Sequence, residues 1–260
     1  MATLYYAGLP SIERSFDNAR MGPAPRSTPA STVTRRLAFV DVETTGLDPA
    51  SDRIAEIGVV TVDDEGITEW GSFVVPRRGA DARLPRRNGF PLAALPESAP
   101  TFGDIAGDLE RRLAGRLFIA HNARFDYAFI KAEFERVGVA FSAQIACTVM
   151  LSRRLYPEHA AHDLDALVDR HGVAAFGRHR ALPDARAHAE CWFAIGQGQG
   201  RDSLAEAVAE LLMGPVLPAH LDPALVDRAP DSPGVYVFHG AGDEILRIGA
   251  AHMLRSALTS

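Results

Sequence analysis

The sequence predicts an α/β fold in which a mixed β-sheet is flanked by helices and followed by a small C-terminal appendage. Two short apolar runs, residues 37–40 and 117–120, have the composition of buried strands. Two further strand-like segments, 53–62 and 67–75, are separated by an acidic, glycine-ended stretch, 63–66, that is typical of a hairpin turn. Three neighbouring strands followed by alternating helices and strands favour a mixed sheet with helices on its faces.

Helices are predicted where apolar residues recur with the spacing of one helical face. Residues 101–115 begin with Thr101, a residue type that favours helix N-termini, and place Ile105 and Leu109 one turn apart. Residues 124–137 show the same pattern. Further helices are predicted over 147–155, 162–171, 184–196 and 202–212.

The composition changes twice along the chain and divides it into three parts. Residues 1–35 are rich in Pro, Ser, Thr and Ala and lack periodicity, which predicts a flexible leader. Residues 36–197 contain the predicted sheet and most of the helices. The glycine- and glutamine-rich stretch 196–200 indicates a hinge, so residues 198–260 are predicted to form a linker, a helix and the small appendage.

The overall composition predicts a cytoplasmic globular protein. Of the 260 residues, 47% are apolar, and no apolar run approaches the ~18 residues needed to span a bilayer. The N-terminus lacks a basic start followed by an apolar stretch, so a secretory signal is not expected. Cys147 and Cys191 lack CxxC spacing and are predicted to be buried free thiols. The formal net charge of −6 argues against a protein that coats nucleic acid by charge alone.

The first candidate functional residues follow the apolar run 37–40 directly. Alternation along a strand places Asp41 and Glu43 on the same face, roughly 6–7 Å apart along the backbone. Two carboxylates at the end of a buried strand repel each other unless a cation lies between them, and oxygen-only ligands favour Mg²⁺ or Mn²⁺. Taken alone, an Asp-x-Glu pair is more often two acidic residues that enter a solvated loop.

Two later groups also place an acid or a histidine at the end of an element. Asp126 lies in the first turn of the helix after strand 117–120, where an acidic residue is also favoured by the helix dipole alone. His179 precedes the last core helix, and Pro183 is expected at its first position, which places Asp184 in the first turn. Because side chains at element ends can converge on one cleft, the three groups together predict a shared site.

These motifs resemble the DEDDh family of 3′–5′ exonucleases, which includes the proofreading epsilon subunit of bacterial DNA polymerase III. The resemblance also covers the connecting segments 53–58, 147–148 and 162–167, and it extends over about residues 36–197. It implies a ribonuclease-H-like fold, in agreement with the element order read from the periodicity. The positions that match the catalytic residues of the family are Asp41, Glu43, Asp126, His179 and Asp184.

The resemblance implies catalysis with two divalent cations, Mg²⁺ or Mn²⁺, bound by the four carboxylates. His179 would take a proton from the attacking water, because an imidazole ordinarily titrates near neutrality. Family members grip the terminal nucleotide with the residues that follow the first acidic pair. By resemblance, Thr44 and Gly46 would contact the terminal sugar and phosphate, and Leu47 would lie against the last base, contacts that do not depend on base identity.

The C-terminal segments 233–238 and 246–249 resemble the opening strands of a GIY-YIG endonuclease domain. Arg247 stands where the second tyrosine of that family is expected, and Ser260 comes before the helix and the glutamate that complete such a site. We therefore interpret the tail as a partial, truncated remnant. An unrelated β-hairpin is the alternative, because the match is short.

Three functions follow from these patterns. The first is a DNA 3′–5′ exonuclease of proofreading or repair, which releases nucleoside monophosphates from a single-stranded or frayed 3′ end. The second is an RNA exonuclease of the same superfamily, since the choice depends on tolerance of the 2′-hydroxyl group. The third is a non-catalytic module attached to a polymerase, although all five catalytic positions are filled. A DNA polymerase is therefore a candidate partner, and no membrane partner is expected.

Overall fold

The computed structural model describes most of the chain in two compact units, one that ends at Leu212 and one that begins at Met213. The predicted leader, residues 1–35, lies outside the described residues. The described ranges are 36–75, 95–96, 98–174, 177–212, 234–239 and 244–251.

A five-stranded mixed sheet forms the centre of the first unit. Its strands are β1 (Leu37–Thr44), β2 (Ile54–Asp63), β3 (Gly66–Phe73), β4 (Leu117–Ala120) and β5 (Ile145–Cys147). They lie in the order β3-β2-β1-β4-β5, so that β1 is the central strand. The strands β3, β2 and β1 pair antiparallel, whereas β1, β4 and β5 pair parallel. This arrangement confirms the mixed sheet expected from the sequence.

Helices cover both faces of this sheet, which confirms the predicted α/β class. The helices are α1 (Phe102–Leu113), α2 (Ala123–Arg136), α3 (Thr148–Leu155), α4 (Leu164–His171), α5 (Ala181–Gln199) and α6 (Arg201–Leu212). None of the helices in the described residues is long and apolar enough to cross a membrane.

The central strand β1 divides the core into two halves because its side chains alternate between the two faces. Ala38 and Val40 pack into the cluster that includes α1 and α2, and Leu37 and Phe39 pack into the cluster that includes α5 and α6. The ring of Phe39 meets that of Trp192 edge to face, with 5.8 Å between the ring centroids. The end of β1 is thereby held firmly between two helical layers.

The structure differs from the sequence-based expectation at two elements near the site. The short strand β5 was not predicted, because three residues are too few to show alternation. The helix α5 begins at Ala181, so Pro183 is its third residue and not its first. Proline is tolerated throughout the first helical turn, where the backbone N–H groups have no intrahelical partner.

The glycine- and glutamine-rich stretch expected to form a hinge is helical as far as Gln199. Gly200, whose φ of 89° suits glycine, follows the last residue of α5, and α6 then packs into the same core cluster as α5. A side chain at Gly196 would lie 3.1 Å from Leu204 Cδ2, so the absence of one lets the two helices approach closely. Helix α6, which the sequence analysis grouped with the tail, therefore packs on the sheet-bearing unit through Leu204 and Val208.

The described part of the second unit is an antiparallel hairpin of β6 (Gly234–His239) and β7 (Ile245–Ala251). Tyr236 lies opposite Gly249, and a side chain at Gly249 would overlap the tyrosine ring. The glycine is therefore required by the packing of this hairpin.

Candidate active site

The strand β1 carries two acidic side chains on the face that α5 covers. Asp41 and Glu43 continue the alternating row of Leu37 and Phe39, which are buried against α5. In the antiparallel register with β2, Asp41 lies opposite Gly58. The strand thus delivers both carboxylates to the point where the apolar core ends.

Helix α5 brings a third carboxylate to the same place. Asp184 lies in the first turn of α5 and is buried. Its side chain accepts a hydrogen bond from the backbone N–H of His179 at 3.2 Å and another from the guanidinium of Arg178. One carboxylate oxygen each from Asp41, Glu43 and Asp184 lies within 4.8 Å of the others, a spacing that a divalent cation can bridge.

A fourth carboxylate is held against β1 from the other helical layer. Asp126 lies in the first turn of α2 and is buried. Its Oδ1 accepts a hydrogen bond from the backbone N–H of Val42 at 3.0 Å, midway between the two acidic residues of the strand. Asp126 is not part of the group of three, but it lies near enough to Asp41 to raise the pKa of that carboxyl.

The acidic groups repel one another in the absence of a cation. Burial raises the pKa of Asp41 well above its usual range, and the charges of Asp126, Asp184 and Glu43 raise it further. Burial and the charge of Asp184 raise the pKa of Glu43 to about 7. Burial also raises the pKa values of Asp126 and Asp184. A cation would relieve this repulsion, so the residues present fit a metal site.

His179 lies on the loop directly before α5. Its backbone has a φ of 64°, a left-handed conformation that is uncommon for a residue with a side chain. The residue is exposed, while its backbone N–H bonds to Asp184. The loop thus holds His179 next to Asp184 in a position that solvent can reach.

The residues after the first acidic pair form a tightly bonded loop. Thr44 is buried, and its hydroxyl donates to the carbonyl of Gly46 at 2.7 Å. A side chain at Gly46 would overlap the carboxylate of Asp52, which also accepts a bond from the backbone N–H of Asp48 at 2.9 Å. Leu47 is 43% exposed, so it is the apolar side chain of this loop that a ligand can contact.

A pair of stacked histidines, His121 and His188, lies behind the acidic group, and neither was selected from the sequence as catalytic. His188 is fully buried one turn after Asp184, and its Nε2 lies 3.7 Å from Asp41 Oδ1. Its ring stacks on that of His121 at 5.9 Å, and the Nδ1 of His121 bonds to Thr148 Oγ1 at 2.9 Å. Burial lowers the pKa of His188 to about 3 and that of His121 to about 4, so both rings are neutral at pH 7.

The sequence analysis also missed an arginine on each side of His179. Arg178 bonds to Asp165 and Asp184, and Arg180 bonds to Glu56. A glutamate inside an otherwise apolar strand was the available signal, because a buried carboxylate requires a partner. The identity of that partner depends on the tertiary structure.

Comparison with protein families gives one match that covers the sheet-bearing unit. The family model described as "Exonuclease" (RNase_T) matches residues 38–191, which is more than half of the chain. The matched range contains all five positions that the sequence analysis selected as catalytic.

Curated relatives carry related names. The epsilon subunit of DNA polymerase III from Treponema pallidum is 32% identical over 160 residues, which cover 59% of this chain and 74% of that protein. A protein of Mycobacterium tuberculosis, named as a bifunctional exonuclease/endonuclease, is 31% identical over 244 residues. That match covers 88% of this chain but 38% of the relative, so this chain spans less than half the length of that protein.

Solved structures show the same fold. E. coli exonuclease I in complex with a dA16 oligonucleotide superposes with a TM-score of 0.57 at 19% identity. The match covers 79% of this chain and 48% of exonuclease I. The five-stranded mixed sheet and its flanking helices are therefore the ribonuclease-H-like fold of exonuclease I, as the sequence predicted.

Proposed function

Because the chain belongs to the RNase_T exonuclease family, we propose that it hydrolyses DNA phosphodiester bonds from the 3′ end and releases nucleoside monophosphates. The observation that carries the proposal is the convergence of Asp41, Glu43 and Asp184 within 4.8 Å, with Asp126 fixed beside them. Family membership gives the class of reaction, and the proximity of these four carboxylates supports this part of the molecule as its site.

The four carboxylates are the groups that would hold two divalent cations, Mg²⁺ or Mn²⁺. Such cations, when bound, polarise the scissile phosphate and favour the ionisation of a water molecule. Oxygen-only ligands suit these two metals, and burial together with the neighbouring carboxylates raises the pKa values of Asp41 and Glu43. Together with His179, these four carboxylates would form the set of five residues that the resemblance to the DEDDh family implies.

His179 is the group that would accept a proton from the attacking water. Its exposed position beside Asp184 would let the imidazole reach a water molecule near the carboxylates. The hydrogen bond from its backbone N–H to Asp184 fixes the backbone at this position. The loop of Thr44, Gly46 and Leu47 would receive the terminal nucleotide. Because the hydroxyl of Thr44 is bonded within the loop, Thr44 shapes this surface and Leu47 supplies the apolar contact to the last base.

The names of the relatives support DNA as the substrate. The epsilon subunit belongs to a DNA polymerase, and exonuclease I was solved with a DNA oligonucleotide. We extend this to single-stranded or frayed DNA with a free 3′ end, to a role in proofreading or repair, and to a DNA polymerase as partner. Such a role implies a cytoplasmic location.

Digestion of labelled oligonucleotides tests the reaction and its direction. The full chain is incubated with matched DNA and RNA strands, labelled at the 5′ end, in Mg²⁺, Mn²⁺ or EDTA. We expect a ladder of DNA products that shorten from the 3′ end in either metal and no cleavage in EDTA. Preferential digestion of RNA would favour the alternative function of an RNA exonuclease. If the strands stay intact in both metals, the result would favour the third alternative, a non-catalytic module attached to a polymerase.

For the tail, we propose that β6 and β7 correspond to the opening strands of a GIY-YIG domain without its nuclease activity. The hairpin, the packing of Tyr236 on Gly249 and the bifunctional name of the M. tuberculosis relative support this assignment. Arg247 replaces the second tyrosine of the motif. An Asp41→Asn variant should therefore not nick supercoiled plasmid, and nicking by this variant would show that the tail, too, is a nuclease.

A further inference from the structure

The loop that carries His179 is bracketed by two arginines that bind carboxylates on different elements. On one side, Arg178 donates to Asp165 of α4, with 2.7 Å between Nη2 and Oδ1, and also to Asp184. On the other side, Arg180 donates to Glu56 of β2 through two parallel bonds, at 2.8 Å from Nε and 3.0 Å from Nη2. Such a bidentate pair fixes the orientation of the guanidinium as well as its position.

The partner of Arg180 lies beside the acidic group. Glu56 is buried, and it lies directly opposite Glu43 in the antiparallel register of β1 and β2. The guanidinium of Arg180 also lies over the ring of Phe73, at 5.0 Å from the ring centroid. Arg180 therefore attaches the loop before α5 to both β2 and β3, next to a strand that carries two of the proposed metal ligands.

The residue that follows Arg180 is also held close to strand β2, by a direct contact between the two backbones. A side chain at Gly58 would overlap the backbone of Ala181, the first residue of α5. Gly58 is two residues from Glu56 and lies opposite Asp41. The start of α5 thus rests on β2 itself, and the pair of Arg180 with Glu56 lies immediately beside this contact.

We propose that Arg180 is a positioning residue for the exonuclease reaction. By binding Glu56, it holds His179 and Asp184 at the correct distance from the acidic residues of β1. The inference rests on the proposed function. In this role Arg180 acts through Glu56, and its positive charge also lowers the pKa of Glu43. It acts because a loop with one unusual backbone conformation needs an anchor at each end, and a displacement of about 1 Å of a reacting group can cost about 10²-fold in rate.

The chain offers a matched control for this claim. Arg186 lies on α5, whereas Arg180 directly precedes that helix, and Arg186 also binds a strand glutamate, Glu69 of β3, through two bonds, of which the one from Nε is 2.8 Å. Both arginines join α5 to the sheet, but Arg186 lies beyond Asp184 and away from the His179 loop. If such ion pairs only stabilise the fold, the loss of either one should have similar consequences.

The experiment compares Arg180→Gln with Arg186→Gln in steady-state digestion of a single-stranded oligonucleotide by the full chain. For Arg180→Gln we expect kcat to fall about 10²-fold with KM changed less than about threefold, as for a misplaced catalytic group. Arg186→Gln should keep kcat within about twofold. Unfolding in urea is measured for both variants, so that a loss of folded protein is separated from a loss of rate.

A milder variant keeps the claim testable if Arg180→Gln does not fold. Arg180→Lys retains the positive charge but cannot make the two parallel bonds, and we expect it to lose about tenfold in kcat. Normal kcat in both Arg180 variants, or an equal loss in the Arg186 control, would overturn the positioning role. An inactive wild-type chain in Mg²⁺ and Mn²⁺ would instead overturn the proposed function, so the two failures are distinguishable.

Discussion

At the scale of single residues, the candidate site consists of buried and half-buried carboxylates. Each one would be costly to bury as a lone charge, and together they raise one another's pKa values. The hydrogen bonds that hold them come from the backbone N–H groups of Val42 and His179 and from Arg178. The site is therefore arranged for a cation before any cation is bound.

The substitution His179→Ala tests the proposed role of His179 as the general base. Removing the imidazole should cut the rate of cleavage by ~10²–10⁴ while DNA binding is unchanged, because proton transfer is lost and the carboxylates remain. Single-turnover digestion and binding of a labelled oligonucleotide in Ca²⁺ measure the two effects. Near-normal turnover by this variant would show that another group accepts the proton.

The raised pKa of Glu43 couples metal binding to pH. With a pKa of about 7, this carboxyl is largely protonated below neutrality in the cation-free protein, so binding a cation releases the proton. Apparent metal affinity should therefore rise as pH increases through about 7. Calorimetric titration with Mn²⁺ at about pH 6.5, in buffers of different ionisation enthalpy, counts the protons released.

The matched variant for this measurement is Glu43→Gln. Its residue 43 has no proton to release, so this variant should release fewer protons in total than the wild-type chain when Mn²⁺ binds.

The pKa of Glu43 also fixes the sign of the effect of pH on stability. Because the folded-state pKa lies above the ordinary value of 4.5, Glu43 favours the folded state at low pH. That contribution is lost as pH rises from about 4.5 through about 7 in the cation-free protein. A metal affinity independent of pH across this range would contradict the assignment.

At the scale of elements, the approach of α5 to β2 brings the third carboxylate to the first two. Gly58→Ala should push the start of α5 away from the strand, because the new methyl group overlaps the backbone of Ala181. Overpacking of this kind costs about 1–3 kcal/mol, which urea unfolding can measure, and the displaced Asp184 should reduce activity as well.

Gly103→Ala is the control for that variant. This glycine lies in α1, and an added methyl group there would find its nearest neighbour, Thr101 Oγ1, at an ordinary 3.7 Å. Alanine also favours the helix over glycine by up to ~1 kcal/mol, so this variant should be neutral or more stable. Equal stability of the two variants would show that α5 does not rest on β2 as closely as described.

Periodicity predicted the elements of the sheet-bearing unit better than their ends. The apolar runs of β1 and β4 are long enough to identify strands, whereas the three residues of β5 are not. The glycines near the end of α5 indicated a hinge because glycine lowers helix propensity. Packing of Leu204 beside Gly196 outweighs that propensity, and such a contact is visible only once α6 is placed.

At the scale of the whole molecule, the sequence predicted those residues of the candidate site that lie near the ends of strands and helices. Asp41 follows the apolar run 37–40, and Asp126 and Asp184 lie in the first turns of recognisable helices, so their convergence could be expected from the sequence. The supporting pair of Arg180 and Glu56 joins residues 124 positions apart, and no local pattern reports such a pairing. The resemblance to a known family supplied the roles that periodicity could not.

The net charge of −6 gives bound cations a central part in the proposed function. An acidic protein gains little from general attraction to a phosphate backbone, so in the proposed function bound divalent ions would supply positive charge where the scissile phosphate lies. The proposed function therefore depends on the cluster of carboxylates more than on any basic surface.

The location of Mn²⁺ in crystals of the full chain tests this claim most directly. Anomalous scattering from Mn²⁺ should give a peak among the carboxylate oxygens of Asp41, Glu43 and Asp184, and the peak should be lost in crystals of the Asp41→Asn variant. Bound Mn²⁺ found only elsewhere on a correctly folded chain, or an unchanged peak in the variant, would contradict the account.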